Sequence, residues 1–168
     1  GDLSKHLYLL YTIFGLSIYN VGQYLWLRKL NIESKYCLIA TLITCFGLKL
    51  TEILRFPNAI HALAWFPWIL YAITLSVQNT KTIKSSILIF IFSFFILTAG
   101  YPYYILYGFI LFSFYFFFIN IPKIKIQFIE RDKINLSFVK SLLACLLPGI
   151  IALIIVSPWF LGISEIME

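Results

Sequence analysis

The sequence predicts an all-α fold: a polytopic transmembrane helix bundle of about six spans, arranged partly as helical hairpins, in a single domain over residues 1–168. Three observations predict it. The chain is 61% hydrophobic and 12% charged, with a mean hydropathy of +0.93, whereas a soluble domain has roughly 45–50% apolar and about 25% charged residues. Its apolar runs are continuous rather than alternating, and approach the ~20 residues a helix needs to cross a ~30 Å hydrocarbon core. Its charges fall between those runs, on alternate loops. Helices follow because lipid offers no partner to an unpaired backbone N–H or C=O.

The first run, Leu7 to Leu27, carries Asn20 and Gln23 at i,i+3 beside Gly22. That spacing suits hydrogen bonds to a neighbouring helix at a close crossing. The second run extends from Tyr36 to about Leu54. The third, Ala59 to Val77, contains Pro67, which is expected to kink it. The fourth covers about Ser85 to Ala99 and the fifth Tyr103 to Ile121. The sixth, about Leu136 to Ser157, holds Pro148, a second expected kink. The short turns RFPN and AGYP predict helical hairpins over 36–77 and 85–121, with Pro57 and Pro102 ending the helices before them. Cys37, Cys45 and Cys145 lie inside apolar runs, without CxxC spacing, and read as buried free thiols.

Charge sets the expected topology. Arg28, Lys29 and Lys35 flank the loop after the first run, and Lys81 and Lys84 the loop after the third. Lys123, Lys125, Arg131, Lys133 and Lys140 lie in or beside the loop after the fifth, making ten of the 13 basic residues. The positive-inside rule puts these loops in the cytoplasm. Both termini and the turns at 56–58 and 100–102 then face outward. An outward N-terminus that begins with Gly1 predicts at least one upstream span, so the chain reads as a piece of a longer membrane protein. The net charge of +6 belongs to these loops; no basic stripe with a reading helix points to nucleic acid.

Four ionisable groups break the apolar pattern near the first outward turn. Lys49, Glu52 and Arg55 follow one another at i,i+3, on one face of a helix. His61 opens the next run, about a turn below the same bend. Two readings stand. The cations snorkel to the interface and neutralise the Glu; or the group forms an outer-face pocket for an anionic headgroup or phosphate, with Arg55 as the bidentate contact. Tyr101, Tyr103, Tyr104 and Tyr107 gather after the second outward turn, as an aromatic belt or as a surface on which a sugar stacks. Glu165 and Glu168 read as solvated charges. No nucleophile elbow, P-loop, HExxH or GxGxxG occurs, and two distant histidines build no metal site.

The order of features carries a resemblance. YLWLRKLNIESKY closes the first run, HALAWFPWILYAI opens the third, and TAGYPYYILYG spans the second outward turn. Leu27–Leu30, Ala64–Ala72 and Ala99–Tyr107 resemble the LxRxL, AWxPxxLxA and AGHPQxxLY segments of YfhO-type bacterial membrane proteins, which are similar to the GT-C superfamily of glycosyltransferases. Tyr101 stands where that pattern has His, and Tyr103 where it has Gln. The resemblance implies a bacterial cytoplasmic membrane and sugar transfer from a polyprenyl-phosphate donor to an extracytoplasmic acceptor. It places the catalytic Asp in a loop upstream of this chain. No cofactor is evident; a divalent metal could assist such a transfer in the full-length protein, but these residues offer no ligand set for one. The site candidates are Lys49, Glu52, Arg55, His61 and Tyr101. A transporter or flippase segment, and a non-catalytic structural subunit, are the alternatives.

Overall fold

A computed structural model describes residues 2–47, 57–78, 82–99, 102–129 and 136–167. Among them the chain is all helix, in seven segments: α1 (Asp2–Lys29), α2 (Ser34–Cys45), α3 (Pro57–Ala64), α4 (Phe66–Val77), α5 (Thr82–Thr98), α6 (Pro102–Ile129) and α7 (Leu136–Met167). Three rods are long and apolar enough to cross a membrane: Ala59–Val77, Pro102–Pro122 and Phe138–Trp159. Among the described residues the remaining three expected spans do not meet that measure, and residues 48–54 of the second lie outside them. α1 is long, but Asn20, Gln23 and its tyrosines dilute its apolarity. α5 has 17 residues. The expected second span does not continue unbroken to Leu54, because α2 ends at Cys45 and the chain leaves it through a turn in which the Gly47 N–H bonds to Thr44 O. Glycine is a poor helix former, and it stands where this helix stops.

Local chemistry accounts for the other boundaries. α1 closes with the Ile32 N–H bonded to Leu27 O and the Asn31 N–H to Arg28 O. Asn31 takes the left-handed φ of 64°, which a short polar side chain tolerates at a helix C-terminus. Arg28 and Lys29 fill the last turn, where cations oppose the carbonyl end of the helix dipole. Pro57 and Pro102 each open a helix, slightly ahead of the expected starts at Ala59 and Tyr103. Pro67 has its expected effect: α3 and α4 are separated at Trp65, because proline supplies no N–H to the carbonyl four residues back. Pro148 leaves α7 helical throughout, and α7 continues ten residues past the expected Ser157 boundary.

The α3–α4 rod is the centre of the bundle. Its span is 72% buried, against 17% and 28% for the spans in α6 and α7. Ala59, Ala62, Ala64 and Ala72 are almost fully buried, and their small size lets neighbouring backbones come close. The outer helices instead present Phe109, Phe114, Phe118, Leu147 and Ile154 outward, a surface that lipid accepts and water does not.

Helix partnership differs from expectation. α1–α2 and α4–α5 pack as antiparallel neighbours, but among the described residues the arms of the expected hairpins over 36–77 and 85–121 are not the main packing pairs. α5 packs chiefly against α7, and α3 against α1. Short turns bring helix ends together; the inserted central rod decides which faces meet.

Candidate functional site

Lys49, Glu52, Arg55 and Tyr101 lie outside the described residues. His61 lies within them, on α3. Its ring stacks on Tyr11 at 3.7 Å, and its Nε2 stands 3.0 Å from Tyr11 O. A carbonyl only accepts, so Nε2 carries the proton in this contact. Phe14 flanks the same ring, and Gly15 makes room for it: a Cβ there would meet Ile60 Cγ2 at 2.8 Å and His61 Nε2 at 3.2 Å. His61 thereby clamps α3 to α1.

The cross-helix contacts order the two ends of the bundle. Tyr11 meets His61, Ile18 O accepts from Trp68 Nε1 at 2.9 Å, and Lys29 O lies 3.5 Å from Gln78 Nε2. α1 therefore runs parallel to α3–α4. Phe66 meets Phe112 and Thr74 meets Tyr115, so α6 runs the same way. The helix ends at Pro57 and Pro102 thus share one end of the bundle with His61. The opposite end holds Arg28, Lys29, Lys35, Lys84 and Lys140. There Lys35 pairs with Glu33 at 3.1 Å, both exposed, an ion pair of small energetic weight.

AWFPW is the hub of the packing. Trp65 stacks on Phe95 at 4.5 Å and on Phe92 at 5.7 Å, holding α5. Phe66 meets Phe112 edge-on at 5.1 Å, holding α6. Trp68 reaches the α1 backbone through Ile18 O, directly over Gly22, where a Cβ would lie 2.5 Å from Trp68 Nε1. One short segment thus ties three helices to the central rod.

Asn20 and Gln23 have the expected helix–helix role. Gln23 Nε2 donates to Thr44 Oγ1 at 2.8 Å, and Asn20 Nδ2 to Cys45 Sγ at 3.2 Å, both on α2. Gly22 faces α4 instead. α1 therefore divides into a glycine face toward the central rod and an amide face toward α2.

A seam of uncharged polar groups, not anticipated from the sequence, lies toward the basic end. Trp26 Nε1 donates to Tyr115 Oη at 2.8 Å, Tyr115 Oη pairs with Thr74 Oγ1 at 2.6 Å, and Thr74 Oγ1 donates to Leu70 O at 2.8 Å. The Thr74 proton is used on Leu70, so the Tyr115 proton points to Thr74 and the chain of donors runs one way. Ser141 Oγ donates to Ser76 O at 3.2 Å, and Ser86 Oγ to Ala144 O at 3.1 Å, joining α4 and α5 to α7. The only signal in the sequence was hydroxyl side chains inside very apolar helices. The Thr74–Leu70 bond lies within α4, and the others tie helices together.

Among the described residues no cluster of three His, Cys, Asp or Glu side chains could hold a metal, and every buried polar side chain is uncharged. Comparison with protein-family models, with curated proteins and with solved structures finds no match.

Proposed function

We propose that this chain is the six-span helical part of a bacterial cytoplasmic-membrane protein of glycosyltransferase type, handling a polyprenyl-phosphate-linked sugar at its extracytoplasmic end. The observation that carries the reading is the separation of the two ends. His61 and the helix ends at Pro57 and Pro102 share one end, and Arg28, Lys29, Lys35, Lys84 and Lys140 the other. A charge-biased bundle of this kind orients with its basic end in the cytoplasm. The other end then meets the periplasmic lipid headgroups; in the sequence Lys49, Glu52 and Arg55 shortly precede Pro57. The resemblance of Ala64–Ala72 and Ala99–Tyr107 to YfhO-type proteins supports the same class.

In this reading Arg55 holds the donor phosphate by two parallel N–H···O bonds. Glu52 and Lys49 balance its charge. An acceptor hydroxyl attacks the anomeric carbon and passes its proton to a carboxylate supplied upstream. The bond from that carbon to the phosphate oxygen breaks, and the polyprenyl phosphate leaves with the electron pair, stabilised by the cations. The test is binding of a radiolabelled polyprenyl-phosphate sugar in membranes carrying the full-length protein. Arg55→Ala is expected to weaken it about 10- to 150-fold, the equivalent of a charge-assisted bond of ~1.5–3 kcal/mol. Arg55→Lys recovers part of the loss. Unchanged binding in Arg55→Ala would leave Arg55 as a snorkelling side chain.

One observation favours a structural subunit as the second reading: His61 and the AWFPW aromatics are all engaged in helix packing. In that case no donor binds, and His61→Ala loosens α1 with no other effect. A transport path is less favoured, because such paths place ionisable groups at mid-membrane, and the buried polar groups described are neutral.

A further inference from the structure

A groove of about 660 Å³ runs along the outside of the bundle between α5 and α7. Ile83 and Ile87 form one wall and Leu147 and Ile151 the other, while Ser86 lies in the floor with its hydroxyl bonded to Ala144 O. The two helices run parallel here: Ser86 meets Ala144, and further along Leu97 packs with Ala152 and Val156. The groove is almost wholly apolar, with one cation, Lys140, lining it at the basic end.

Two features select its occupant. The first is length. Lys140 to Ile151 is eleven helical steps, about 16 Å at 1.5 Å per residue, which matches the ~15 Å depth of one leaflet's hydrocarbon. The second is charge. Lys140 makes no ion pair with a described residue, and Lys84 stands exposed in the first turn of α5 at the same end. An apolar channel one leaflet deep, with a cation at its mouth, has the form of a lipid with an anionic headgroup. We propose that this groove binds an anionic phospholipid, one acyl chain lying between Ile87 and Leu147 and the phosphate resting on the Lys140 ammonium. The site is separate from the proposed donor end and requires only that the chain span a bilayer.

The experiment uses the purified chain in phosphatidylcholine vesicles, doped with either phosphatidylglycerol or phosphatidylcholine carrying a photoreactive group on one acyl chain. Labelled positions are read by peptide mass spectrometry. Phosphatidylglycerol is expected to label α7 between Leu143 and Ile151 in preference to the outward face of α6, and to out-label phosphatidylcholine there. Lys140→Gln should reduce that labelling about fivefold, the ~1 kcal/mol of one basic residue at an anionic surface. Lys140→Arg should keep it, and Leu147→Trp, which fills the groove without touching the charge, should abolish it. Equal labelling by both lipids, indifferent to Lys140, would overturn the proposal in favour of ordinary annular lipid. Groove residues that instead cross-link to a second copy of the chain would overturn it in favour of a helix–helix interface. Neither result bears on donor binding at the opposite end.

Discussion

Replacing Gly22 by alanine would place a methyl group inside the Trp68 indole. The added Cβ would lie 2.5 Å from Trp68 Nε1, 2.6 Å from Cδ1 and 3.0 Å from Cε2. These atoms belong to a rigid ring, not to the end of a flexible chain, and the ring is held by its bond to Ile18 O at 2.9 Å. Relief requires α1 and α4 to separate or the indole to turn, and turning breaks that bond. Overpacking of this kind costs about 1–3 kcal/mol, and a lost interhelical bond in a membrane protein about 0.6 kcal/mol. Alanine returns up to about 1 kcal/mol through helix propensity. The net expectation is a loss of about 1–3 kcal/mol. Gly149→Ala is the matched control, since nothing lies within 4 Å of its added Cβ; it should be neutral or gain up to about 1 kcal/mol. The assay is reversible unfolding by SDS titration in mixed micelles, followed by circular dichroism. In a Trp68→Ala background the cost of Gly22→Ala should disappear, giving a coupling energy near the full single-mutant loss. Gly22→Ala as stable as Gly149→Ala, or an absence of coupling to Trp68, would refute the close approach of α1 to α4.

The polar seam makes a second prediction. Tyr115→Phe strands the Trp26 N–H and should cost about 1–2 kcal/mol in the same assay, whereas Trp26→Phe leaves Tyr115 bonded to Thr74 and loses less hydrogen bonding. Asn120 is fully buried with its Oδ1 unpartnered among the described residues; Asn120→Leu should therefore be neutral or stabilising, and a marked loss by SDS titration would show that Oδ1 has a partner. Topology is tested by single cysteines in a background lacking Cys37, Cys45 and Cys145. Position 58 should label from outside intact cells, and position 82 only after permeabilisation. Labelling of position 82 in sealed cells would invert the orientation.

Composition and run length by themselves determined the all-helical class. A chain this apolar, with unbroken runs, has no other way to satisfy its backbone groups in lipid. Pro67 determined where the central rod breaks, because a missing N–H acts locally whatever the surroundings. The pairing of Asn20 and Gln23 across a helix interface was also legible, since a buried amide needs a partner. Only the tertiary structure decided who those partners are. In sequence Trp65, Phe66 and Trp68 belong to the segment that carries a resemblance, with no partner assigned; their packing on α5, α6 and α1 depends on a central rod that no local pattern announces. The same holds for His61, a site candidate by its position near the first outward turn and a clamp by its place beside Tyr11. Parallel packing of α5 on α7 joins faces about 58 residues apart, as in the Ser86–Ala144 bond. In so uniform an apolar sequence, the fit of small residues against large ones selects the partner, and that fit exists only in three dimensions.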